Sequence, residues 1–133
     1  MRYHLITYGC QMNEADSRLI AAVLDHAGWE ECGSTAEADL IIINTCSVRE
    51  KPEQKVRSLL GELRAEKEAR PGLLLGVVGC MAQREGRRLL SRSPYVDFVL
   101  GTRCSHHIVA VVDRARQGER RIVLTDLADD PAV

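Results

Sequence analysis

Two spacings of apolar residues alternate along this chain. Leu40-Ile41-Ile42-Ile43 is an unbroken apolar run with three β-branched members. That pattern predicts a strand buried on both faces, as in a parallel sheet. Tyr3 to Tyr8, Leu73 to Val78 and Val96 to Leu100 read as further strands, and Trp29 to Cys32 as a short edge strand. Between them the apolar spacing becomes helical. Leu19, Val23 and Ala27, flanked by Ile20 and Leu24, predict one helix, capped near Asn13 and stopped by Gly28. Val56, Leu59, Leu60 and Leu63 mark a long second helix that starts near Pro52 and ends at Arg70-Pro71-Gly72. Ala82, Gly86, Leu89 and Leu90 face inward on a third helix, which Ser93-Pro94 breaks. Ser105 caps a fourth helix, whose stripe is Ile108, Val111, Val112 and Ala115 and whose stop is Gly118.

Strand and helix alternate, so the predicted fold is α/β: a three-layer sandwich with a mostly parallel sheet of about five strands. Helices cover both faces, joined by right-handed crossovers. Residues 1–118 form one domain, and residues 119–133 an edge strand or linker. A length of 133 residues and 45% hydrophobic content suit a single filled core.

The net charge is −1, so no overall basic field demands nucleic acid. The halves differ: residues 1–66 carry 7 Lys/Arg against 11 Asp/Glu, and residues 67–133 carry 11 against 8. Arg84, Arg87, Arg88, Arg92, Arg103, Arg114, Arg116, Arg120 and Arg121 make up the excess. They read as a solvated face, or as a surface turned toward RNA or an acidic partner domain. No apolar run reaches membrane-span length. Met1-Arg2-Tyr3-His4 leads straight into a strand without a signal peptide, so a cytoplasmic location is expected.

Three predicted strands end in a thiol: Tyr8-Gly9-Cys10, Asn44-Thr45-Cys46 and Val78-Gly79-Cys80. The carboxyl ends of parallel strands open into the crevice where such folds bind ligands. Five cysteines, an odd number, argue for metal ligation or reactive thiols over a disulfide framework, and the lack of a Cys-x-x-Cys pair weakens a thioredoxin-like or structural-zinc reading. Three thiolates in one crevice suit an iron–sulfur cluster. A single such thiol would read as a small buried hydrophobe at a strand end; three at equivalent points of successive units favour the shared site. Cys32, on the peripheral strand, reads as a packing residue. Cys104 follows the strand ending at Leu100 and could reach the crevice as a fourth ligand. His106 and His107 open a helix in a capping or surface role. No Gly-x-Gly-x-x-Gly or Walker loop supports a nucleotide cofactor.

Tyr-Gly-Cys10-Gln-Met-Asn, Asn-Thr-Cys46-Ser-Val-Arg-Glu-Lys and Val-Gly-Cys80-Met-Ala-Gln resemble the N-terminal domain of radical S-adenosylmethionine methylthiotransferases. The likeness runs over about residues 3–117. Gln11-Met12-Asn13 and Ser47 to Lys51 look most like the branch that converts isopentenyladenosine beside the tRNA anticodon to its 2-methylthio form. The resemblance implies that Cys10, Cys46 and Cys80 ligate an auxiliary 4Fe–4S cluster used in sulfur insertion. Cys104 lies outside the family pattern. Two further domains are also implied. One is a radical domain binding S-adenosylmethionine and a second 4Fe–4S cluster; the other is a small RNA-binding domain. Residues 119–133 would lead toward the radical domain, and this stretch alone would be inactive. Arg49 is the cation placed to meet phosphate or an acidic group of the radical domain, with a surface salt bridge as the equal alternative. Rival readings are the ribosomal-protein aspartate branch, a flavodoxin-like or cobalamin-binding module, and a thiol switch without metal.

Overall fold

The computed structural model describes residues 1–7, 11–45, 50–79, 82, 86–101, 106–119 and 121–124. Six strands form one sheet: β1 (Arg2–Thr7), β2 (Glu30–Glu31), β3 (Leu40–Thr45), β4 (Leu74–Gly79), β5 (Phe98–Leu100) and β6 (Ile122–Leu124). Among the described residues four helices accompany them: α1 (Gln11–His26), α2 (Glu50–Ala69), α3 (Arg87–Arg92) and α4 (Ile108–Arg116). The strand order is β2-β1-β3-β4-β5-β6, with every pairing parallel. The sheet thus has six strands where about five were expected. The added one is Ile122–Leu124, whose alternative reading was a linker.

The apolar run at Leu40–Ile43 is buried throughout, as a strand covered on both faces must be. Alternate residues serve separate cores. Leu40, Ile42, Leu74, Val78, Phe98 and Leu100 pack with Ile20 and Leu24 of α1 and with Ile108, Val111, Val112 and Ala115 of α4. Ile41, Ile43, Leu75, Val77 and Val99 pack on the other face with Leu60 and Leu63 of α2 and Leu89 and Leu90 of α3. Gly76 leaves room between strands, since a Cβ there would fall 2.0 Å from the ring of Phe98.

Helix placement departs from the predicted uniform hand. The connection through α1 steps toward β2 on one face. Those through α2 and α3 step the opposite way on the other face, so all three share one sense. The connection through α4 steps like α2 and α3 but lies on the face of α1, so its sense is reversed. Parallel crossovers are right-handed in about 98% of cases. The α4 stripe must cover Phe98 and Leu100, which face α1, and that requirement outweighs the preference.

Two helices also differ in detail. The inner face of α1 is Ser17, Ile20 and Leu24, while Leu19 is 47% exposed and Ala27 lies past the helix end. The Ile20–Leu24 line faces the sheet, and the predicted Leu19-Val23-Ala27 line lies one position round the helix. Helix α2 begins at Glu50, so Pro52 stands in its first turn rather than at its first position. Proline is tolerated there because first-turn N–H groups lack helical acceptors anyway.

At the amino-terminal edge of the sheet, Asp97 Oδ2 accepts from Lys67 Nζ at 2.6 Å and from the Leu75 amide at 2.9 Å. Both side chains of this pair are largely buried. Lys67 also donates to the Leu73 carbonyl. Arg70 donates to the carbonyls of Thr35, Ala36 and Ala38, pinning the connection from β2 to β3. These ties hold the edge remote from the three strand ends that precede the cysteines.

Candidate metal centre at the carboxyl edge

Strands β1, β3 and β4 finish level with one another. Thr7 pairs in register with Asn44, Asn44 with Val78, and Thr45 with Gly79. Neighbouring strands in a sheet lie about 4.8 Å apart. In sequence, Cys46 directly follows Thr45, Cys80 directly follows Gly79, and Cys10 is three residues beyond Thr7. Cys10, Cys46 and Cys80 themselves, together with Cys104 and Arg49, lie outside the described residues.

A hydrogen-bonded chain links the three strand ends. Thr7 Oγ1 lies 2.6 Å from Ser17 Oγ, which accepts from Asn44 Nδ2 at 2.9 Å. Thr45 Oγ1 donates to the Val78 carbonyl at 2.8 Å. Asn44 and Thr45 are fully buried, and Ser17 nearly so. Leaving such a buried group unsatisfied costs about 1–3 kcal/mol, which makes the pairings obligatory rather than incidental. Ser17 belongs to α1, so the helix after the first cysteine is bonded to the strand before the second.

Gly79 completes the arrangement. Its φ is +102°, and a Cβ would lie 2.3 Å from the Thr45 carbonyl oxygen and 2.6 Å from Asn44 Oδ1. Only glycine allows β4 to finish this close to β3. The glycine before Cys80 was legible in the sequence. Thr7, Ser17, Asn44 and Thr45 were missed as a set. The available signal was Asn44-Thr45 ending an all-apolar run, together with a serine at the i−3 position from Ile20.

Other titratable groups lie elsewhere. Cys32 is half-buried on the margin of one core, and its thiol donates to the Ser34 carbonyl at 3.4 Å, in keeping with a packing role. His4 Nδ1 lies 3.0 Å from the Cys32 carbonyl oxygen. His106 and His107 are exposed, with ring centroids 4.0 Å apart. Burial raises the Asp16 carboxyl above its ordinary pKa. Tyr3 is buried, and its hydroxyl donates to Asp25 Oδ1 at 2.9 Å; burial, then that bond, push its pKa well up.

The chain is thus a doubly wound parallel α/β domain in which, in sequence, each of three level strand ends leads to a thiol. Residues 2–101 match the uncharacterized protein family UPF0004, and the chain belongs to that family. It is also similar to curated proteins named tRNA-2-methylthio-N(6)-dimethylallyladenosine synthase. The one from a Hydrogenobaculum species is 43% identical over 132 residues, 99% of this chain and 30% of the relative. The one from Geobacter metallireducens is 50% identical over 129 residues, 97% and 29% of the two chains. The one from Thermus thermophilus is 55% identical over 101 residues, 76% and 22%. The chain therefore spans about 30% of the length of the first of these relatives. No helix among the described residues is long and apolar enough to cross a membrane.

Proposed function

We propose that this chain is the N-terminal domain of a tRNA methylthiotransferase that converts isopentenyladenosine beside the anticodon to its 2-methylthio form. The observation that carries the reading is the level finish of β1, β3 and β4, with a cysteine following each in sequence. Relatives named for that chemistry support it.

Cys10, Cys46 and Cys80 would hold an auxiliary 4Fe–4S cluster. The donor set fits: three soft thiolates on three adjacent strand connections, at the edge where a doubly wound sheet binds its ligands. When bound, the cluster supplies an iron without a protein ligand, at which sulfur can be held. The chain's own residues have a separate task. Asn44, Ser17 and Thr7 fix the spacing of the connections, and Gly79 lets the second and third approach. Cys32 and Cys104 stay outside the ligand set. S-adenosylmethionine, its own 4Fe–4S cluster and the RNA-binding domain belong to further domains, toward which residues after Leu124 lead. The whole enzyme works in the cytoplasm.

Anaerobic reconstitution followed by iron and sulfide analysis tests this. About four irons and four sulfides per chain are expected, falling steeply when Cys10, Cys46 or Cys80 becomes Ala and persisting in Cys32→Ala and Cys104→Ala. A chain that takes up no iron, or binds a flavin or corrin instead, would end the proposal.

A further inference from the structure

One polar side chain interrupts the apolar lining of β3. Leu40, Ile42 and Asn44 alternate onto the face that α1 covers, and the first two join the core there. Asn44 is as fully buried as they are. An apolar residue would extend that core, whereas a buried amide is costly unless its donors and acceptor are met. Burial alone therefore does not account for an asparagine at this position, and its contacts must.

Those contacts reach three ways. Asn44 Nδ2 donates to Ser17 Oγ at 2.9 Å, and Ser17 stands on α1, the helix that follows Cys10 in sequence. The other end of the amide, Oδ1, lies against the finish of β4: a Cβ on Gly79, the residue before Cys80, would come within 2.6 Å of it. Asn44 itself stands two residues before Cys46. One planar side chain thus meets the segments that adjoin all three thiols in sequence. Turning the amide over would exchange its donor and acceptor between α1 and β4, so its orientation counts as well as its place. Ser17 fixes that orientation by accepting from Nδ2, and Thr7 Oγ1, 2.6 Å from Ser17 Oγ, holds the serine hydroxyl in place.

The same helix is tied to the sheet a second time. At its far end the Tyr3 hydroxyl of β1 donates to Asp25 Oδ1 at 2.9 Å. Tyr3 lies near the start of its strand, so this bond is remote from the carboxyl edge.

We propose that Asn44 is the positioning residue of the metal centre, and that Ser17 and Thr7 set the way its amide faces. This rests on the reading of Cys10, Cys46 and Cys80 as cluster ligands and deepens it: retention of the cluster depends on a buried amide that is not a ligand.

The test compares the two ties on the reconstituted 133-residue chain. Iron loss to the ferrous chelator bathophenanthroline disulfonate is followed without oxygen, and the reduced cluster is recorded by electron-spin resonance. Ser17→Ala should lose iron about fivefold faster than the parent, the factor that one hydrogen bond is worth. Its spectrum should split into more than one species as the amide takes two orientations. Tyr3→Phe, which also removes one bond between α1 and the rest of the domain, should keep the parent's rate and spectrum. Thr7 is exposed at the strand end, so its variants carry the test even where Ser17→Ala does not fold: Thr7→Val should speed iron loss and Thr7→Ser should not. A parent that holds a cluster, with Ser17→Ala or Thr7→Val no faster than Tyr3→Phe, overturns this proposal and leaves the ligand assignment standing. A parent that takes up no iron and sulfide overturns both.

Discussion

Gly79→Ala is the most incisive single change to the carboxyl edge. Two costs combine. A residue with a side chain held at φ +102° carries strain of about 1–2 kcal/mol. The new methyl would also lie 2.3 Å from the Thr45 carbonyl oxygen and 2.9 Å from the Thr45 nitrogen. These are backbone atoms of a fully buried strand and cannot swing aside, so overpacking adds about 1–3 kcal/mol. The expected loss is about 2–5 kcal/mol, a large share of the roughly 5–15 kcal/mol that holds a domain together. Urea denaturation followed by circular dichroism measures it, with Gly61→Ala as the counterpart. Gly61 sits inside α2 with nothing within 4 Å of its Cβ position, so alanine there should stabilise by about 0.5–1 kcal/mol. The opposite signs come from position alone, since the substitution is the same. A Gly79→Ala chain that loses less than about 1 kcal/mol would show that the strands can separate there, and would remove the close approach from the account of the site.

Further expectations concern the charged and polar groups. Asp16→Asn should stabilise the chain near neutral pH: the folded carboxyl has a raised pKa, so it favours folding only below its unfolded value near 4 and opposes it above. Thermal melts at pH 7 and pH 3 check this, and a destabilised variant at pH 7 would refute it. Tyr3→Phe should cost about 1 kcal/mol at pH 7 for the lost bond to Asp25. Because the native hydroxyl titrates higher than the unfolded one, the parent should lose stability as pH rises past about 10 and the variant should lose less, by urea titration at pH 8 and 11. Asp97→Ala should cost about 3–5 kcal/mol, stranding both Lys67 and the Leu75 amide, whereas Lys67→Met, which leaves that amide bonded, should cost less. Equal losses for the two in chemical denaturation would contradict this division.

Much of the fold was legible because its signals are local. The unbroken Leu40–Ile43 run, short and rich in β-branched residues, marked a doubly covered strand, and Gly28 and Gly118, both at positive φ, ended their helices as read. Ile122–Leu124 was ambiguous because a three-residue strand has too few side chains to show a period, and its pairing with β5 is a tertiary fact. The stripe of α1 is centred one position from the expectation: Ile20 and Leu24, expected as its flanks, are its buried line, and Val23 packs at the margin. Leu19-Val23-Ala27 and Ile20-Leu24 are both helical lines, and only the sheet decides which is covered. At the candidate centre, the alignment of the strand ends followed from the parallel reading. The Thr7-Ser17-Asn44 chain did not, because it joins residues up to 37 positions apart whose identities carry no periodic mark.

The reversed connection through α4 has a mechanical meaning. Strand β6 joins the sheet last and against the prevailing winding, held by three register pairs to β5. Flanking bonds run from the Ile122 amide to the Asp97 carbonyl at 3.1 Å and from the Gly101 amide to the Leu124 carbonyl at 2.8 Å. Because β6 lies parallel to its neighbour, tension drawn through residues 125–133 along the strand axis would load these bonds together in shear rather than one at a time. A pull of that kind would be resisted at β6 before it reached β4 and the thiol-bearing connections. The strand would then act as a strain relief, letting whatever follows it move while the carboxyl edge keeps its spacing.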